Sequence, residues 1–145
     1  MGHTLNEQQK PLQENEMKID GGLRVLFRKH LPDGMWQSIE TGSTGQGVPD
    51  SYYCFAYRKM GWIEYKNATA NAVKIAPHQI AWHARHWRLG GVSFFAVRRD
   101  KELFLYQGDR GESLKLNGLR TTPLIWAGGG PAKWPWERIK ALIAG

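Results

Sequence analysis

The chain has one cysteine, Cys54, in 145 residues. That excludes an intramolecular disulfide and any zinc site built on a cysteine cluster, and it suits a reducing compartment. No stretch approaches the ~20 consecutive apolar residues of a membrane span, and the amino terminus lacks the apolar run of a signal peptide. The expectation is a soluble, cytoplasmic protein. Acid is scarce relative to base: 13 Asp and Glu face 20 Lys and Arg, a formal net charge of +7. An excess of cations attracts polyanions, which makes nucleic acid the first partner to consider, although a basic balance of this size also occurs in ordinary proteins. No internal repeat is visible. The Gly-rich stretch TGSTGQG lacks the Gly-Lys-Ser/Thr ending of a phosphate-binding loop, so no nucleotide cofactor is expected.

What is present begins with a polar segment rich in Gln and Glu. Residues 1–16 read as a flexible arm and residues 17–145 as one folded domain. Leu23, Leu26, Phe27 and Leu31 recur at helical spacing before a Pro-Asp-Gly turn. The polar side of that helix carries Arg24, Arg28, Lys29 and His30; a solvated face explains them most simply, and a phosphate-facing role for Arg28 and Lys29 is the functional alternative. Residues 35–40, the run SYYCFAY, a turn at RKMG and the run WIEYKNA predict an antiparallel meander. Pro77 opens a helix to about Leu89, ended by Gly90 and Gly91. VSFFAV and ELFLY then predict two buried strands joined by RRDK, and a last helix is expected from about Pro135 to Ile143. The order predicts an α/β (α+β) fold, a mixed sheet flanked by helices. Beyond Gly108 the pattern is weaker until that last helix.

Hydrolysis of a phosphodiester needs charge neutralisation, an activated water and help for the leaving oxygen, which a hard cation held by two or three carboxylates can supply. Asp50, in GVPD, opens one strand of the predicted hairpin, and Glu64 lies inside the other, in WIEYK. Strand alternation puts Glu64, Lys66 and Trp62 on one face and Ile63 and Tyr65 on the other. The bland alternative for Glu64 and Lys66 is a surface ion pair. On the helix after Pro77, Ile80, Ala84 and Trp87 are spaced to face the sheet, while Gln79, His83 and His86 fall on another side. There the histidines and Arg85 either approach phosphate or are simply solvated or hydrogen-bonded. Most of Trp82, Trp87, Trp126, Trp134 and Trp136 are expected to pack, with base stacking the alternative.

Taken in order, an acid before a Gly-containing loop, GVPD, an aromatic strand, WIEYK, PHQIAWHARHWRLGG and an apolar strand resemble the PD-(D/E)XK nuclease superfamily. Within it, the chain is similar to the small virus-type VRR-NUC and Holliday-junction-resolvase-like endonucleases. The resemblance spans residues 39–97, about two fifths of the chain. It implies a restriction-endonuclease-like sheet and a DNA endonuclease using Mg²⁺ or Mn²⁺. Asp50, Glu64 and Glu40 would be metal ligands, Lys66 the catalytic lysine and Gln79 the helical glutamine near the centre. Tyr65 departs from the family's usual aliphatic residue or Thr. Under this reading Ser43, Thr44 and Gln46 lie over the scissile strand, Arg28, Lys29, His83 and Arg85 approach DNA, branched duplex is the expected substrate, and a homodimer supplies paired centres. A non-catalytic nucleic-acid-binding module that keeps the fold is the alternative, and a structural protein with an incidental acidic and basic hairpin is a third.

Overall fold

The computed structural model describes residues 19–40 and 47–145. The expected arm, residues 1–16, and the loop positions Ser43, Thr44 and Gln46 lie outside the described residues. Six strands form one mixed sheet in the order β1 to β6: Met35–Ser38, Ser51–Phe55, Lys59–Asn67, Ser93–Arg99, Glu102–Gln107 and Ile125–Ala127. All neighbours are antiparallel except β3 and β4, which run parallel. A parallel pair needs a crossover, and here it is made by helix α2, Pro77–Arg88. The other α-helices are α1 (Leu23–His30), α3 (Gly111–Asn117) and α4 (Trp136–Ala144).

Alternation along the central strands divides the interior in two. Ile63 and Tyr65 of β3, Phe94 and Ala96 of β4, and Leu103 and Leu105 of β5 point to a core closed by Leu23 and Phe27 of α1 and Ile139 and Ile143 of α4. Their neighbours Phe95, Val97, Phe104 and Tyr106 point the opposite way, to a core closed by Leu114 of α3 and Ile80 of α2. Strands covered on both faces read as continuous apolar runs, which VSFFAV and ELFLY are. The tryptophans follow the packing expectation. Trp134 is buried, Trp136 packs edge-on against Phe27 and stacks on His30, and Trp87 meets Phe94, while Trp126 alone among the five is exposed.

The hairpin turn differs from its expected place. The strand pair turns at Ala56, Tyr57 and Arg58, with Tyr57 and Arg58 both at positive φ, and Lys59 and Met60 are already extended and paired with Phe55 and Cys54. The run RKMG is therefore part turn and part strand. Beyond Gly108, α3 and β6 are elements the periodicity did not predict.

Candidate functional site

The site forms where two strands part. Strand β2 pairs with β3 only as far as Ser51 opposite Ile63, and Pro49 stands just before it. The amide of Tyr65, one rung further on, is instead bound by the Asp50 side chain, with Oδ2 accepting at 2.8 Å. Asp50 is fixed at the same point by its carbonyl, which accepts from Ile39 N at 2.8 Å. This brings its carboxyl within hydrogen-bonding reach of the Glu64 carboxyl.

Glu64 is not part of a surface ion pair. It is 2% exposed, on the face of β3 that α2 covers. Gln79 Nε2 donates to its Oε2 at 3.2 Å, and Lys66 Nζ donates to Gln79 Oε1 at 2.8 Å. Gln79 is held in turn by its position in the third residue of α2: its Oε1 also accepts from the amide of Ala76, the residue before the helix, at 3.0 Å. A helix amide that needs a cap thus orients the side chain that links Lys66 to Glu64.

Burial pushes the Asp50 carboxyl up to about 7, and the neighbouring Glu64 adds to the shift; the Tyr65 amide and Arg24 oppose it. Burial raises Glu64 as well, against the hydrogen bond from Asp50 and the charges of Lys66 and Arg24. The cause is common: two acids share a poorly hydrated space, so one proton or one cation is wanted between them. Glu64 Oε1 is buried, and no donor among the described residues reaches it. A pair of carboxylates, one with an oxygen left without a partner, fits a hard divalent cation. Among the described residues no three of His, Cys, Asp and Glu are grouped to hold a metal ion. Asp50 and Glu64 are thus the two acidic side chains that converge there.

Glu40, the expected third ligand, is exposed beyond the end of β1 and joins no such group. The reason is local: the strand ends at Ser38, and only the amide of Ile39 is tied to Asp50. His83 corrects the expected nucleic-acid contact. It is fully buried, with Nδ1 2.7 Å from Ser93 Oγ and Nε2 3.9 Å from Glu64 Oε1, so no phosphate can reach it. Burial pushes it down to about 3, leaving the ring neutral. Ser93, His83 and Glu64 lie in a line, but Ser93 is itself fully buried and its hydroxyl cannot act as a nucleophile on any substrate. Arg85 is exposed on α2, Lys29 is exposed on α1, and Arg28 donates to Ser38 Oγ at 2.5 Å, away from the acid pair.

Two residues near the centre were not singled out by spacing. Arg24, one turn before Arg28 on the same helix, lies 3.8 Å from Asp50 Oδ1 and donates to the Asp50 carbonyl at 3.3 Å. Asp20 accepts from the amides of Gly22 and Arg24 and so caps the start of α1, while its charge also acts on Asp50. Gly21 and Gly22 at positive φ form the turn that brings this helix start against Asn67 and Arg98. An Asp followed by two glycines before an apolar helical run was the available signal for the cap.

No helix among the described residues is long and apolar enough to cross a membrane. No family model matches the chain, and no curated protein matches it.

Proposed function

We propose that the protein is a divalent-metal-dependent endonuclease of the PD-(D/E)XK type, acting on DNA in the cytoplasm, with branched duplex as its substrate and a homodimer as its working form. The observation that carries this reading is the convergence of Asp50 and Glu64 at the parting of β2 and β3, with Lys66 and Gln79 beside them. Asp50 and Glu64 would hold Mg²⁺ or Mn²⁺, which when bound supplies charge neutralisation at the phosphate and lowers the pKa of water.

The chain's own residues do the rest. Gln79 fixes the rotamer of Glu64 through Oε2, leaving Oε1 directed away from it. Lys66, anchored on Gln79, presents an ammonium group to the attacking water and to the negative charge that grows on the phosphate oxygens. Arg24 offsets part of the charge on Asp50, so the acid pair tolerates burial until cation and substrate arrive.

The test is incubation with four-way junction, flap, nicked and linear duplex DNA in Mg²⁺ or Mn²⁺, with the Glu64→Ala protein in parallel. Cutting of branched DNA that Glu64→Ala abolishes supports the reading; cutting confined to linear duplex removes the junction preference. A non-catalytic nucleic-acid-binding module is favoured by one observation, the two-acid site partly neutralised by Arg24. In that case DNA is bound, with affinity falling as salt rises, and is never cut.

A further inference from the structure

Two grooves open on either side of Lys66. One, of about 580 Å³, runs between Gln79, the segment from Val73 to Ala76, and Lys115 of α3. The other, of about 400 Å³, runs from Lys66 and Asn67 past Thr69 to Ile19. Lys66 and Lys74 line both, so the grooves adjoin each other, and Lys66 ties them through Gln79 to Glu64. Among the described residues no acidic side chain lines either one.

Three cations elsewhere on the surface are matched: Arg99 by Glu102, Lys140 by Asp33, and Arg24 by Asp20 and Asp50. Lys74 and Lys115 are exposed and take part in no ion pair or hydrogen bond among the described residues. Between them the floor is apolar, made by Val73, Ile75 and Ala76. A trough with an apolar floor and ammonium groups along its walls suits sugar rings below and phosphates at the sides.

Resting on the nuclease reading, we propose that the two grooves form one track for the sugar-phosphate backbone of a nucleic-acid strand. Lys74, on the ridge between them, and Lys115, on the far wall, bind phosphates flanking the one at Lys66. The strand then runs along the segment that links β3 to α2, away from the exposed face of α2 that carries Arg85.

The experiment uses Glu64→Gln protein, which retains the site without cutting, and a fluorescein-labelled DNA flap in Ca²⁺, titrated from about 50 to 300 mM KCl. Adding Lys74→Ala and Lys115→Ala is expected to weaken binding about tenfold at low salt and to reduce the slope of log K against log salt by about 1.5, near 0.7–0.9 for each phosphate that the protein ceases to neutralise. Each single substitution should give about half that change in slope, so the result does not depend on the doubly substituted protein folding. Lys133→Ala, in the Pro131–Lys133 turn before α4, should change neither quantity. An unchanged slope in a parent that binds DNA would overturn the track and leave the nuclease reading standing. A parent that binds no DNA, with a wild type that cuts none, would remove both.

Discussion

Strand β3 presents two unlike surfaces from alternate residues. Ile63 and Tyr65 enter an apolar core under α1 and α4, where the Tyr65 hydroxyl and Ser51 Oγ are buried without a hydrogen-bond partner among the described residues. Glu64, one residue away, enters a space under α2 that also holds His83 and Ser93, and two of its buried polar atoms, Glu64 Oε1 and His83 Nε2, lack a partner among the described residues. A buried polar atom without a partner costs about 1–3 kcal/mol, and more where the group is charged, so the second face, which leaves a carboxyl oxygen and an imidazole nitrogen unpaired, gives up more stability than the first, which leaves two hydroxyls. The difference teaches where the candidate site lies: on the face that folding alone would not have chosen.

The sharpest way to break the contrast is at Glu64. Glu64→Gln keeps the shape and the Gln79 contact but removes the charge, and cleavage of a DNA flap in Mg²⁺ should fall by about 10³-fold, or roughly 4 kcal/mol. Thermal stability in EDTA should not fall with it. On the opposite face Phe27→Ala should do the reverse, lowering stability by about 3 kcal/mol in a urea titration through the cavity left beside Tyr65 and Trp136. Equal losses of stability from the two substitutions would mean that the faces are energetically alike.

Asp50→Asn sharpens the same comparison through pH. The folded-state carboxyl is raised to about 7, above the ordinary range, so the folded protein holds a proton that the unfolded chain has released. Its contribution to stability therefore falls as pH rises from about 4 to 7 and is most unfavourable above that. Replacing it by Asn should stabilise the metal-free protein by about 2 kcal/mol at pH 8, a value discounted for the solvent that reaches the carboxyl, and by nothing below about pH 4. Mn²⁺ should raise the melting temperature of the wild type at pH 8 and leave that of Asp50→Asn nearly unchanged. The smallest effect belongs to Trp126→Ala. It is 59% exposed and, among the described residues, its ring is tied only to Glu102, so the melting temperature should shift by less than about 2 °C.

Much of this arrangement was legible in the residues. Period 2 along WIEYK put Glu64 and Lys66 on one face, and the spacing of Leu23, Leu26, Phe27 and Leu31 marked an amphipathic helix, which in the fold closes the other face. The mixed sheet and its helices followed from the alternation of apolar runs. What failed to show is what depends on contact between distant segments. His83 looked like part of a polar helix side, but α2 lies across the sheet so closely that this side also faces inward; Gly108, where any side chain would strike Ser93 and His83, leaves the room for it. Arg24 and Arg28 are alike in sequence, and only the fold sets one beside Asp50 and the other beside Ser38. Strand β6 has three residues and α3 begins at a glycine, too short and too irregular for periodicity to register.

The Tyr65 amide bears one more consequence. Had the ladder between β2 and β3 run a single rung further, that N–H would have met a backbone carbonyl, and the Asp50 side chain would have lost the hydrogen bond that now fixes it. The notch in the molecule is thus an unfinished seam, and any change that lets the two strands zip past Pro49 should close it while leaving the rest of the sheet intact.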